Sequence, residues 1–461
     1  MPLGQTVSSA AQGAAFGLFP ILWIVVNALW VYRMTVRIQA LVVAFCFGAL
    51  LEALAGFGAP VAICSVMLVA LGFDPVRAAV VALVANTAPV AFGAMGTPVV
   101  TLAQVTGLPL DNVASVVGRQ TPLLALVVPL VLVFLVDGKR GLRETWVPAL
   151  VCGIAFAVAQ FAASNYVSAQ LADIGAALAG AGALVAVPHA RVPADESVRA
   201  SVLTGARSED LDEADPRGEV LRAYAPYALI VVIFSVAQIP AVKDWLAKAT
   251  RTYDWPFLNV LNPDGDPVGG NLFTWPIVST GGTLVLLAGI LTALVLGVHA
   301  RVAVREWVAT VHELRFAILT VTSVPALAYV MNLSGQAATI GHFVAAAGAG
   351  LAFLSPVLGW FGVAVSGSDT SANALFGALQ VTAARESGLS PELLAAANSS
   401  GGVLGKMLSP QNLTIACAAV GLAGREGDLL RKVLPWSLGL LLVMCLIVVG
   451  QSSPVLGWML P

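Results

Sequence analysis

Residues 86–98 read NTAPVAFGAMGTP, and residues 398–410 read NSSGGVLGKMLSP. Both fit one pattern: Asn, then Ser or Thr, five residues, Gly, any residue, Met, any residue, Ser or Thr, Pro. Asn86, Thr87, Gly93, Met95, Thr97 and Pro98 thus answer Asn398, Ser399, Gly405, Met407, Ser409 and Pro410. Six matched positions mark an internal repeat. Each copy lies inside an apolar stretch long enough to cross a bilayer, 76–107 and 391–423, and its central Gly and Pro open the helix. Unwound backbone cannot face lipid, where each unsatisfied amide costs several kcal/mol. It must therefore line a cavity or be buried in protein.

A second matched feature precedes each copy. FGALLEALAGFGAP at 47–60 and FGVAVSGSDTSANA at 361–374 hold corresponding places in two apolar runs, 38–72 and 351–384. Each run is too long for one crossing and is interrupted by polar or glycine-rich residues, so both are expected to be re-entrant hairpins. The repeated unit is a hairpin plus a broken helix. Further crossings are expected at 13–35, 115–136, 145–163, 171–187, 223–242, 277–298, 314–333 and 432–459, and the short stretch 337–350 is expected to lie along the interface. Six crossings separate the broken helices. That even number makes the repeats inverted.

Composition agrees. The 461 residues are 58% hydrophobic and 10% charged, with a mean hydropathy of +0.89, which excludes a string of soluble domains. The net charge of −2 offers no basic face for nucleic acid. The five cysteines lie in apolar stretches without metal-ligand spacing, so no metal or other cofactor is expected. The polar stretch 188–222, with five arginines and eight acids, separates two transmembrane halves, 1–187 and 223–461. A second connection, 243–276, mixes Trp, Phe, Pro and Gly as a partly ordered surface cap would.

The expected topology puts 17 of the 23 basic residues on one side, including Arg77, Lys139, Arg140, Arg143 and all five arginines of 188–222. By the positive-inside rule that side is cytoplasmic, which leaves both termini extracytoplasmic.

Candidate site residues follow from what a membrane interior tolerates. Glu52, in the first hairpin, would cost about 2.5–3.5 kcal/mol if unpaired, so it is expected to pair or to carry a coupling proton; an interfacial position near the hairpin base is the alternative. Asp369 sits in SGSDTSAN among Ser368, Thr370 and Asn373, dense in hydrogen-bonding groups for an apolar hairpin. It is the second proton-coupling candidate, or else a helix cap. Freed N–H groups at half-helix N-termini attract anions, and Asn86, Thr87, Asn398 and Ser399 add neutral hydrogen bonds, which suits a small carboxylate. Gly56 and Gly58 would let the first hairpin tip approach it. Lys406 stands where the first copy has Ala94. It is expected to pair with Asp369, to attract the anion, or to snorkel to the surface. Arg119, early in its span, serves either anion guidance or interfacial anchoring.

The strings EALAGFGAPVAI, NTAPVAFGAMGTP, SGSDTSANALFGALQ and GGVLGKMLSPQNLTIACAAVGL resemble the lactate permease family over nearly the whole chain from about residue 13. The resemblance implies a secondary transporter and no enzyme. It implies proton symport of L-lactate, and often glycolate and related 2-hydroxy monocarboxylates, across the cell membrane by alternating access. It also implies inverted repeats with paired re-entrant hairpins. Two departures stand out: the family usually has apolar helices before the span at 13–35 and a longer, partly amphipathic connection from it to the first hairpin. The first repeat is thus expected to be incomplete, either as a shortened variant or because the reading frame begins late. Sodium coupling on the same architecture is the alternative, since unwound carbonyls bind Na⁺ as readily as N–H ends bind an anion. The expected partners are the monocarboxylate, protons and the lipid bilayer; homo-oligomerisation stays open.

Overall fold

A computed structural model describes residues 2–16, 18–19, 44–54, 58–70, 73–186, 225–226, 228–230, 232–234, 236–237, 239–260, 272–313, 315–422 and 424–460. Gly56, most of the expected span at 13–35 and the loop at 188–222 lie outside them. The described helices are α1 (Leu3–Phe16), α2 (Ala44–Leu54), α3 (Ala59–Ala70), α4 (Pro75–Ala85), α5 (Gly93–Thr106), α6 (Leu110–Tyr166), α7 (Ala172–Ala186), α8 (Pro240–Ala247), α9 (Gly281–Val295), α10 (Ala300–Glu313), α11 (Arg315–Leu333), α12 (Gln336–Ala345), α13 (Leu351–Ser366), α14 (Asp369–Ser387), α15 (Pro391–Gly405), α16 (Pro410–Ala419) and α17 (Glu426–Gln451).

By length and hydropathy, Leu110–Tyr166, Ala169–Ala186, Gly348–Ser366 and Glu426–Gln451 can cross a membrane, and Pro75–Ala85 with Val90–Thr106 forms a fifth candidate span, bent by 64°. The protein is an all-α polytopic membrane protein, with one β ornament among the described residues. That ornament is a two-stranded antiparallel ribbon, β1 (Thr250–Asp254) and β2 (Leu272–Pro276), whose Tyr253 and Phe273 cluster with Trp255. It occupies the connection expected to be a surface cap.

Local chemistry starts both broken helices the same way. Asp74 caps α4, accepting from the Arg77 N–H, with Pro75 in the first turn; Ser390 caps α15, accepting from Leu393 N–H, with Pro391 in the first turn. These cap-and-proline pairs satisfy orphan donors where a chain enters the bilayer. The breaks themselves differ. In the first unit Ala94, Met95 and Gly96 take left-handed backbone angles (φ 44°, 57° and 73°), which costs about 1–3 kcal/mol at each non-glycine residue. In the second, a 3-10 turn at Lys406–Leu408 ends at Ser409, whose side chain caps α16 ahead of Pro410.

Chain direction establishes the inversion. Hairpin one (α2, α3) ends at Ala70 and α4 begins at Pro75, so both meet one membrane face, here face A. The chain then climbs α4 and leaves along α5 toward the opposite face B. Asn373 of α14 donates to the Pro98 carbonyl oxygen, and a Cβ on Gly377 would touch Leu102, Val105 and Thr106. As 98 advances to 102–106, 373 advances to 377, so α14 runs parallel to α5 and also leaves toward face B. Hairpin two (α13, α14) therefore opens on face B, opposite hairpin one.

The expected crossings 115–136 and 145–163 are the two arms of α6, which turns at Asp137, Gly138 and Thr145. The arms are antiparallel. A Cβ on Gly153 would come within 2.5 Å of the Leu126 carbonyl oxygen, and one on Gly118 within 1.9 Å of Ser164 Oγ. Residues 107–110 and 166–171 accordingly lie toward face B, and Asp137–Arg143 toward face A.

Candidate functional site

Between the repeats, Glu52, Val90, Gly93, Ala94, Pro98, Gly367, Ser368, Asp369, Thr370 and Lys406 line a small cavity. Every wall comes from a hairpin or a break.

Glu52 sits in the last turn of α2 and is 2% exposed. Lys406 Nζ of the other repeat donates to its Oε1 in a buried ion pair, and Asn86 Nδ2 donates to Oε2 at 3.0 Å. Glu52 is thus deep in the protein and not at the hairpin base. Lys406 does not snorkel, and its ion-pair partner is Glu52 where the sequence had suggested Asp369. The reason is placement: the 3-10 turn at 406–408 turns the lysine toward α2, where Gly93 leaves room. A Cβ on Gly93 would stand 2.9 Å from Glu52 Oε1.

Asp369 follows the N-cap Ser368, whose Oγ accepts from Ser371 N–H, so the cap is Ser368 and Asp369 opens the helix. Its Oδ2 accepts from Ser399 Oγ at 2.6 Å and from Asn373 Nδ2 at 3.3 Å. Oδ1 is buried without a hydrogen-bond partner, over Gly402, where a Cβ would come within 2.3 Å of it. One ammonium and two carboxyl groups therefore face one small cavity.

Asn373, Asn398, Gln380 and Ser355 form a chain behind this wall: Asn398 Nδ2 donates to Asn373 Oδ1 at 2.9 Å, Gln380 Nε2 to Asn398 Oδ1 at 3.2 Å, and Ser355 Oγ to Gln380 Oε1 at 2.9 Å. The two matched asparagines thus play matched parts. Asn86 holds Glu52, Asn398 holds Asn373, and neither borders the cavity. Thr87 bonds its own helix at Val84 O. Gly58, at φ 81°, packs on Asn412 and Ile415 of α16 and not on the cavity. Arg119 is also elsewhere: Nε donates to Asn165 Oδ1 at 3.0 Å and NH1 to the Met459 carbonyl at 2.6 Å, which ties the C-terminal segment to α6. It does not border this cavity.

Asp173 was passed over in the sequence. It is 1% exposed at the start of α7, where Gln160 Nε2 donates to its Oδ1 at 2.7 Å. A lone acid in the run LADIGAALAG has no counterpart in the repeat, so pattern matching passes it by; an ionisable residue in a span was the available signal. Among the described residues no three His, Cys, Asp or Glu side chains gather to hold a metal ion.

The family model described as L-lactate permease matches residues 1–453. An L-lactate permease of Bacillus subtilis is 41% identical, covering 100% of this chain and 90% of its own. One of Escherichia coli K12 is 39% identical, over 100% and 89%. The glycolate permease GlcA of Escherichia coli K12 is 38% identical, over 95% and 85%.

Proposed function

This chain belongs to the L-lactate permease family, and from that premise we propose that it carries L-lactate, glycolate and related 2-hydroxy monocarboxylates across the cell membrane together with protons. Face A, with Arg77, Lys139, Arg140 and Arg143, is its cytoplasmic side.

The observation that carries this reading is the buried Lys406–Glu52 pair on the cavity wall. An ammonium balances one carboxylate, and a second buried anion without a counter-charge is prohibitively costly. A substrate carboxylate can take Lys406 only if Glu52 becomes neutral, so anion and proton must bind together. In the empty carrier Lys406 balances Glu52, its partner in the buried pair, while Asp369 keeps its proton. In the loaded carrier both acids are protonated and Lys406 holds the substrate. Each form can cross between faces without an unpaired charge. Ser368 and Thr370 offer hydroxyls for the substrate's own 2-hydroxyl, and the α14 N-terminus adds its dipole. Asn86, Asn398, Asn373 and Ser399 act behind them, holding the acids in place.

The test is uptake of radiolabelled L-lactate into vesicles holding the purified protein. Acid outside and alkaline inside should drive accumulation above the external concentration, a protonophore should abolish it, and replacing sodium should change nothing. Accumulation that follows a sodium gradient and ignores pH would overturn proton symport.

A further inference from the structure

A second cavity, of about 550 Å³, opens toward face B between the start of α6, the turn after it and the segment around α8; Asp111, Asn165, Ser168, Ala169, Gln170 and Lys243 are among its lining residues. Its inner wall is the turn at Ala169–Leu171. That turn presses on the first helix break: a Cβ on Gly96 would lie 3.1 Å from the Ala169 carbonyl oxygen, and Ala94, two residues earlier, lines the central cavity. The same turn runs directly into α7, so Asp173 stands one helical turn beyond Ala169.

Asp173 is unusual in what it lacks. Oδ1 accepts from Gln160, but Oδ2 is buried with no hydrogen-bond partner. Gln160 Nε2 also reaches the Ala88 carbonyl in the first break at 3.3 Å, so the acid is held against the transport machinery. The titratable groups of the elements packed on α7 are few. α2 brings Glu52, which lies within electrostatic reach of Asp173, and Cys46, which meets Cys152 of α6 at 3.9 Å beside Gly180 two turns further on. α6 faces Asp173 with the neutral Gln160, while α5 and the Ala169–Leu171 turn contain no titratable side chain. A carboxyl group with one oxygen lacking a hydrogen-bond partner, one acidic neighbour and a polar-lined cavity one turn away is placed to hand protons inward.

We propose that Asp173 is the proton entry residue of this carrier, taking protons from the face B vestibule and passing them to Glu52. This rests on the proton-symport reading above. The O–H bond at Asp173 breaks and an O–H bond forms on a Glu52 oxygen, displacing Lys406 Nζ, which then receives the substrate carboxylate. The Asp173 carboxylate regains a proton from hydronium in the vestibule, leaving water. The vestibule supplies the proton from the side away from the basic loops, as uptake requires. An acid at a helix N-terminus also suits the helix dipole; Asp173→Asn gives up that charge but keeps an acceptor for Gln160, whereas Asp173→Glu keeps the ionisable group, which separates a structural role from proton entry.

The experiment compares wild type, Asp173→Asn and Asp173→Glu in vesicles, reading pH-gradient-driven accumulation, lactate-induced proton uptake, and exchange of internal for external lactate. Exchange returns the carrier loaded and needs no net proton step. Asp173→Asn should lose accumulation and lactate-induced proton uptake while exchange persists; Asp173→Glu should keep accumulation with a shifted pH profile. If wild type ignores the pH gradient, the symport reading falls first. If wild type responds and Asp173→Asn accumulates lactate as wild type does, the entry role alone is overturned. Should the Asn variant fail to insert, an unchanged pH profile in Asp173→Glu overturns it equally.

Discussion

Lys406 and Glu52 stand 354 residues apart in the chain, yet they share one buried ion pair that joins the two repeats. The pair is also the place where repeat symmetry is broken, because the counterpart of Lys406 is Ala94. One lysine thus serves both halves of the cavity.

Lys406→Met leaves Glu52 buried beside an apolar side chain. Removing one partner of such a pair costs about 3–5 kcal/mol, so the variant should melt well below wild type in detergent unless the acid is protonated. The double variant Lys406→Met with Glu52→Gln has no charge to strand and should recover most of the melting temperature. Neither should bind lactate, measured by equilibrium binding. Full binding in the double variant would remove Lys406 from substrate recognition.

Glu52→Gln and Asp369→Asn separate the two acids. Glu52→Gln keeps the Asn86 contact and frees Lys406 permanently, so lactate binding should become insensitive to pH while accumulation against a gradient disappears. Asp369→Asn keeps the bond from Ser399 and leaves the switching pair intact. Its accumulation should persist with an altered pH profile. Equal behaviour of the two variants would mean that the acids act as one indivisible proton site.

The repeat, the hairpins and two of the three buried acids described around the site were legible because they violate what lipid tolerates: Gly and Pro in a span, Glu52 and Asp369 in apolar hairpins. Partners were not. Asp369 is nearer to Lys406 in sequence, but helical phase and the 3-10 turn at 406–408 decide that Lys406 reaches Glu52. Arg119 read as an anion guide or an interfacial anchor because a cation in a span invites either; its acceptor is the Met459 carbonyl near the far end of the chain, which no local pattern encodes. The left-handed run at Ala94–Gly96 was hidden for a related reason. Ala and Met carry no preference for positive φ, so the strain is imposed by packing.

Gly405 tests the second repeat's packing apart from its chemistry. A Cβ there would stand 2.1 Å from the Trp360 carbonyl oxygen, in backbone that cannot step aside, whereas one on Gly439 meets nothing within 4 Å. Gly405→Ala should destabilise the protein by about 1–3 kcal/mol or more through overpacking, seen as a lower melting temperature and lower yield. Gly439→Ala should match wild type in both. A neutral Gly405→Ala would mean that α13 and α15 sit further apart than described here.

Gly93 joins packing to the switch. Its missing Cβ is the space that Glu52 occupies: a methyl group would stand 2.9 Å from Oε1 and 3.2 Å from Cγ. Unlike the contact at Gly405, the obstacle is a side chain, so Gly93→Ala should be accommodated by pushing the carboxylate away from Lys406. The variant should fold, but with the pair weakened it should bind lactate with less dependence on pH and accumulate less of it. Shortening the acid by one methylene withdraws it from the new methyl group. Gly93→Ala with Glu52→Asp should therefore regain accumulation that Gly93→Ala alone has lost, while Glu52→Asp alone, with the gap unfilled, should be weaker than wild type because its carboxylate falls short of Lys406. Accumulation assays on the four proteins form a double-mutant cycle, and the expected sign is a favourable coupling between the two substitutions. Simple additivity would show that the Gly93 contact does not position Glu52.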